Sequence, residues 1–411
     1  MMSESPVDVR RDASSLAAPA ERPRGTVLQV LPALETGGVE RGTVEIARAL
    51  TTAGWGAVVA SSGGALVADI QRANAEHVAL PLASKNPFTI HANIKRLIGV
   101  IEHHDVDIVH ARSRAPAWSA YYAARRTGRP FVTTFHGVYG AANTPKKHYN
   151  AVMARGDRVI AVSNFIAEHV RGVYGVGNDR LRIVPRGVDL ELFDPANVGA
   201  SRLEQLIHRW RLPDGMPIIM LPGRLTRWKG QTVMIDALAI LGRKDVRCLF
   251  VGSDAGHRGC RRWLEKRIAQ RGLASIVHIA DHCRDMPAAY MLADVAVSAS
   301  LDPEAFGRVI IEAQAMGRPT IATDHGGARE TVIPGENGWL VPPGDAAAMA
   351  DALREALALD PAERAALAVR ASERVRAMYS KDTMCDRTLA IYDELLAETG
   401  RGRVARHIKD Q

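Results

Sequence analysis

Residues 295–324 read VAVSASLDPEAFGRVIIEAQAMGRPTIATD, and this stretch decides the fold class. Its first six residues form an uncharged apolar run of strand length. A loop carrying Asp302, Pro303 and Glu304 follows, and then an apolar segment that reads as a buried helix starting near Phe306. Residues 319–324 are a second short apolar run. Strand, helix and strand in this order make a βα repeat, and strands this continuously apolar belong in a parallel sheet covered on both faces.

The same unit recurs on either side. Strand-like runs occupy 217–223, 247–253 and 276–281 before it and 338–342 after it. An earlier series covers 27–34, 57–62, 77–82, 106–111, 130–137, 158–163 and 181–185, separated by helix-sized segments such as 40–53, 91–104, 114–127 and 163–174. Between the two series GVDLELFDPANVGA (187–200) has the Pro, Asn, Asp and Gly content of a linker. The 411 residues exceed the roughly 250 to 300 that one core usually reaches, so two α/β sheets in two domains are expected. Residues 1–25 show no apolar periodicity and read as a disordered leader. In 380–398, Cys385, Leu389, Tyr392 and Leu396 recur at helical spacing, so a terminal helix presents one apolar stripe that must dock.

Composition excludes several classes. A hydrophobic fraction of 47 % with 24 % charged residues rules out a collagenous, coiled-coil or largely disordered chain. No stretch supplies the roughly 18 uncharged apolar residues of a membrane span and no apolar signal core opens the chain, so a cytoplasmic protein is expected. Cys248, Cys260, Cys283 and Cys385 contain no C-x-x-C pair, which argues for reduced thiols; His278, His282 and Cys283 lack the spacing of a metal site, and no metal is expected. The net charge of +8 points to an anionic partner. The basic segments 95–129 and 401–409 read as solvated faces, with contact to an anionic membrane surface as the functional alternative.

Two doubly wound domains leave a cleft at the carboxyl ends of their strands, so the strand ends carry the candidates. After the first strand, Gly37 and Gly38 precede a helix expected to start near Thr43; they would bring backbone N–H groups to a phosphate, or simply make a tight turn. This loop fits neither the dinucleotide nor the P-loop glycine spacing. Strand 217–223 runs into Gly223-Arg224-Leu225-Thr226-Arg227-Trp228-Lys229-Gly230, where Arg224 and Lys229 can clamp a diphosphate or form a solvated basic loop. Glu304 and Glu312 are separated by seven residues, and acids in so apolar a segment need internal ion pairs or a ligand; sugar hydroxyls are suitable donors, and the N–H groups of Phe306 and Gly307 would face the same ligand's phosphate. His136 ends strand 130–135 and faces the cleft, while His110, Arg112 and Arg114 end the strand before it and suit an anion or a surface loop equally.

Taken together, G-G-V-E-R, F-H-G, V-S-N-F (162–165), I-V-P-R-G-V-D (183–189), G-R-L-x-x-x-K-G and E-A-F-G-x-x-x-x-E-A-x-A-x-G-x-P resemble the retaining glycosyltransferases of the GT-B fold, specifically family four. The resemblance covers nearly all of 26–398. It implies two Rossmann-like domains facing a central cleft: an acceptor-side domain of 26–190, joined by 380–400 because the final helix crosses back, and a sugar-nucleotide domain of 191–379. It also implies that Arg224 and Lys229 hold the donor diphosphate in place of a metal and that Glu312 takes the ribose hydroxyls. Glu304 would take the donor sugar hydroxyls beside the Phe306–Gly307 backbone, His136 would lie near the anomeric carbon, and Gly37 and Gly38 would meet the phosphate from the opposite domain. The expected co-substrate is a nucleoside-diphosphate sugar, with no cofactor or metal, and the expected acceptor a glycan or lipid-linked hydroxyl in cell-surface polysaccharide or lipopolysaccharide synthesis. A monomer with no nucleic-acid partner and peripheral contact with the inner membrane surface completes the expectation. Three other functions compete: a non-hydrolysing sugar-nucleotide epimerase of similar architecture, a non-catalytic protein binding anionic surfaces or nucleic acid, and a degenerate subunit that binds a sugar nucleotide without turning it over. Against the second, aromatic residues are only 5 % and form no basic platform for bases; against the third stands the intact set of Arg224, Lys229, Glu304, Glu312 and His136.

Overall fold

The structure, a computed structural model, describes residues 23–35, 37–140, 144–254 and 258–400. Strands β1 (Thr26–Val30), β2 (Gly56–Ser61), β3 (Glu76–Ala79), β4 (Ile108–Ala111), β5 (Phe131–Phe135), β6 (Arg158–Ala161) and β7 (Leu181–Ile183) form one sheet in the order β3-β2-β1-β4-β5-β6-β7, every pair parallel. Strands β8 (Ile218–Pro222), β9 (Arg247–Val251), β10 (Val277–Ala280), β11 (Val295–Ser298), β12 (Thr320–Thr323) and β13 (Trp339–Val341) form a second parallel sheet in the order β10-β9-β8-β11-β12-β13. Successive side chains of a strand point to opposite faces, and β1 buries both. Val27 and Leu31 pack with Ile46 and Leu50 on one side, while Leu28 and Val30 pack with Ala117 and Ala120 on the other. That two-sided burial is why these strands read as unbroken apolar runs.

In each sheet the winding reverses at the middle, between β1 and β4 and between β8 and β11. Strand ends splay apart at such points and leave a crevice for ligands. The two crevices face one another, and the loops after β1, β5, β8 and β11 carry the candidate residues. The helix Lys381–Thr399 packs back on the first sheet, with Cys385, Tyr392 and Leu396 buried beside Val27, Ile46 and Trp55. Its polar side is tied down by Glu394, which lies 3.0 Å from Arg158 and 2.5 Å from Arg182. The two chain crossings between the sheets are stitched together, Val188 N–H donating to Tyr379 O at 2.9 Å and Lys381 N–H to Val188 O at 2.8 Å. A Cβ at Gly187 would stand 2.6 Å from Ser380 O, so only glycine permits this approach.

Element bounds differ from the sequence reading at three places that shape the cleft or join the sheets. The first helix is Gly38–Thr52 and does not wait for Thr43: Gly37 is the extended residue before it, and Arg41 N–H already donates to Gly37 O at 3.0 Å. The helix expected from Phe306 is Arg308–Ala315, because Gly307 at φ 86° turns the chain and Phe306 drops into the core against Tyr379. The expected linker 187–200 contains a short 3-10 turn, Pro195–Asn197, and the helix Ala200–Trp210 starts at its end, burying Leu206 and Trp210. The leader expectation for 1–22 and the basic segment 401–409 lie outside the described residues. Among the described residues no helix is long and apolar enough to cross a membrane.

Candidate active site

A cavity of about 780 Å³ opens between the two sheets, lined by Gly38, Val39, His136 and Gly137 from one side and by Arg224, Trp228, Lys229 and 302–309 from the other. The loop after β8 shapes the second wall. Gly223 has φ 145°, a conformation that side-chain-bearing residues avoid, and the Lys229 stem packs over it, 3.6 Å from where a Cβ would be. Lys229 also lies over the Trp228 ring, 4.5 Å from its centroid, and Leu301 N–H donates to Trp228 O at 2.7 Å, so the loops after β8 and β11 hold each other.

Those two loops meet at Glu304. Its carboxylate accepts from Lys229 Nζ at 2.8 Å, from Ser298 Oγ at 3.2 Å and from Ser300 Oγ. Burial pushes this carboxyl up, but the Lys229 charge and the three hydrogen bonds outweigh it and hold the pKa below the ordinary value. Glu304 is therefore an ionised acceptor inside a cleft. One lysine donor serves Glu304 and two remain for a ligand. Arg224 is exposed on the same wall. Phe306 and Gly307 line the cavity where the helix Arg308–Ala315 begins, so its free N–H groups open onto the same space.

Facing them, His136 directly follows β5. Its Nε2 is sealed from solvent with no hydrogen-bond partner among the described residues. Burial, followed by the charges of Arg186 and Arg112, puts its pKa well below the ordinary histidine value, so the ring is neutral at neutral pH.

Two predicted residues stand apart from the cavity wall. Glu312 is buried one turn inside its helix, accepting from Tyr290 OH at 3.2 Å and lying 3.5 Å from Arg308 Nε; burial pushes its pKa up. Gly37 turns its Cα towards the carboxylate of Glu40, and of the glycine pair only Gly38 reaches the cavity. Of the three residues expected to end β4, only His110 lies in it, locked between Tyr392 OH at 2.6 Å and Thr134 Oγ1 at 2.7 Å, while Arg114 opens the following helix and lies over Tyr139. Arg112 is buried, with its Nη2 3.1 Å from where a Cβ on Gly42 would stand, and it does not line the cavity.

Several contributors escaped the sequence reading. Arg186 and Arg308 line the cavity, and Ser298 and Ser300 fix Glu304. Arg186 and Arg308 sit inside the motifs I-V-P-R-G-V-D and E-A-F-G-R, and a cation within a glycine-bearing loop was the available signal.

Residues 36–192 match the model of Glycosyltransferase Family 4, and residues 204–374 that of Glycosyl transferases group 1. The D-inositol 3-phosphate glycosyltransferase of Xylanimonas cellulosilytica is 34 % identical over 277 residues, which are 64 % of this chain and 66 % of that protein. A glycosyltransferase crystal structure from Rickettsia africae ESF-5 superposes with a TM-score of 0.84 at 40 % identity, over 90 % of this chain and 98 % of that one. The Anabaena protein HepE, in complex with UDP-glucose, shares the fold with a TM-score of 0.79 at 22 % identity, over 90 % and 99 % of the two chains.

Proposed function

The chain belongs to the group 1 glycosyltransferases of family four, with the GT-B fold, and on that premise we propose that it moves a sugar from a nucleoside-diphosphate sugar to a hydroxyl of a glycan or lipid-linked acceptor, with retention at the anomeric carbon. The observation that carries this reading is the ionised Glu304, held by Lys229 at 2.8 Å beside the start of a helix and facing a neutral histidine across the cleft.

Each group has a task in this chemistry. Breaking the anomeric C–O bond leaves positive charge on the sugar and added negative charge on the departing diphosphate. Lys229, Arg224 and the N–H groups at the head of the helix Arg308–Ala315 stabilise that oxygen, and charge placed where it develops is usually the largest catalytic term. Glu304 accepts hydrogen bonds from the sugar hydroxyls and fixes the ring. Glu312 takes the ribose hydroxyls once the nucleotide displaces its weak internal contacts. His136, being neutral, can hydrogen-bond the sugar without setting a second positive charge beside the electron-poor anomeric carbon. The acceptor hydroxyl attacks from the face the diphosphate leaves, and its proton passes to a phosphate oxygen. Arg224 and Lys229 take the role a divalent cation has in other transferases. The HepE complex with UDP-glucose supports a sugar nucleotide as donor, and the relative named for inositol 3-phosphate supports a hydroxylated acceptor. Cell-surface polysaccharide or lipopolysaccharide synthesis is the setting proposed.

Thermal melting against UDP-, GDP- and ADP-sugars, with and without chelator, tests the reading, because a ligand that binds only the folded state raises the melting temperature. One nucleotide class should shift the transition equally with and without chelator. No shift with any of them would overturn the donor assignment.

A further inference from the structure

Resting on the donor reading above, we propose that Arg186 completes the diphosphate seat from the opposite wall, and that Arg186 and Arg308 face each other across the cleft as a pair of like charges that the bound diphosphate neutralises. Arg186 comes from the segment after β7 and Arg308 is the first residue of the helix after β11, so the two reach the cavity from different sheets. Both approach Gly38: a Cβ there would stand 3.7 Å from Arg308 Cδ and 3.9 Å from Arg186 Nη2. At Gly42, one turn further along the same helix, a Cβ would lie 2.8 Å from both Arg186 terminal nitrogens and 3.1 Å from Arg112 Nη2. The glycines of G-G-V-E-R-G thus make room for guanidinium groups as well as for a ligand.

Of the two, Arg186 is the under-compensated charge. Arg186 is 6 % exposed, and its hydrogen bond among the described residues goes to a neutral acceptor, the carbonyl of Gly38. Arg308 is ion-paired at 3.5 Å with Glu312 and at 3.6 Å with Glu45, yet its Nε and Nη1 are buried without a hydrogen bond among the described residues and so keep donors for a ligand. Burial, then the charge of Arg308, pulls the Arg186 pKa down to about 9. Glu45 and Glu40 offset this only in part, and Arg112 adds to it. A buried guanidinium without a paired anion is unfavourable, and its planar fork matches phosphate oxygens. Of the anions the reaction supplies, the donor diphosphate fits this position, because Arg308 stands one turn before Glu312 on the helix whose first N–H groups open onto the cavity. Lys229 spends part of its charge on Glu304 and Arg308 is shared with Glu312 and Glu45, so Arg186 from the opposite wall adds, beside Arg224, a cation that no carboxylate of its own has claimed.

The test uses the full chain and calorimetric titration of UDP, GDP and ADP. Binding of one of them to the wild type comes first; if none binds, the donor reading itself fails, whatever Arg186 does. With the nucleotide so identified, Arg186→Met should melt at the wild-type temperature or above it, since an uncompensated buried charge is gone, while its dissociation constant rises at least tenfold and its salt dependence weakens. A variant that melts lower and binds within twofold of the wild type would make Arg186 a brace for the Gly38 turn and overturn the proposal. Should Arg186→Met fail to fold, Arg308→Met decides between the same two outcomes: a tenfold loss supports the paired seat, and binding within twofold overturns it.

Discussion

On the proposed reading, removing the Lys229 ammonium does two things at once: it takes a charge from the leaving group and leaves Glu304, whose side chain is 16 % exposed, with serine hydroxyls as its remaining donors. The first effect is worth roughly 3 to 4 kcal/mol, about 100- to 1,000-fold in turnover, by analogy with other preorganised donors. The second acts on pH. Since Lys229 holds the Glu304 pKa down, Lys229→Met should shift the acid limb of the residual pH–rate profile to higher pH. Steady-state kinetics with the stabilising donor read both, and an unmoved acid limb would separate Glu304 from catalysis. Glu304→Gln keeps the shape and loses the charge; turnover should fall at least tenfold while nucleoside-diphosphate binding stays within threefold.

At the scale of elements, the contact between the terminal helix and the first sheet makes stability depend on pH. His110 on β4 is fully buried between Tyr392 of that helix and Thr134 of β5, and burial, then Arg112, depresses its pKa well below 6.5. His136 is depressed in the same way. Above pH 6.5 both histidines are neutral folded or unfolded and contribute nothing to the slope. As pH falls through the unfolded value, the unfolded chain takes up protons that the folded one refuses, so stability drops by up to about 1.4 kcal/mol per pH unit for each histidine. Urea unfolding of His110→Gln should show lower stability at pH 8, where a hydrogen bond is lost, and a shallower decline between pH 6.5 and 5. An unchanged decline would mean that His110 does not drive it.

Across the whole molecule, the two halves are also tied together beside the cleft. Glu330, in the short helix Ala328–Thr331 that follows β12, accepts from Asn164 N–H at 3.0 Å, Asn164 Nδ2 at 2.8 Å and Phe165 N–H at 2.8 Å, capping the helix Asn164–Tyr174 that follows β6. Beside it, Ser163 Oγ donates to Ala305 O at 2.6 Å, in the loop that carries Glu304. Hydrogen bonds to a charged acceptor contribute about 1.5 to 3 kcal/mol, less where water competes as it does at Asn164. Glu330→Ala should therefore enlarge the radius of gyration of the nucleotide-bound protein in X-ray scattering and raise the donor KM about tenfold, with each sheet intact by circular dichroism. A variant as compact as the wild type would show that the cap does not hold the two sheets together.

Much of this was legible before any fold was known, because strand length, apolar continuity and loop composition are properties of neighbours along the chain. The runs of both sheets, the glycines and acid at Glu304, and the cations of the β8 loop lie within such windows. The first turns of two helices were misplaced because Gly37 and Gly307 set those starts by backbone conformation, which composition does not report. By itself the sequence determined two parallel α/β sheets and the loops at which their chemistry sits. Only the tertiary structure decided which polar groups meet: Lys229 with Glu304 across 75 residues, Arg186 with Gly38 across 148, Asn164 with Glu330 across 166, and Tyr392 with His110 across 282. Propensity acts over a few residues, whereas the burial that leaves Arg186 in need of an anion depends on every element packed around it.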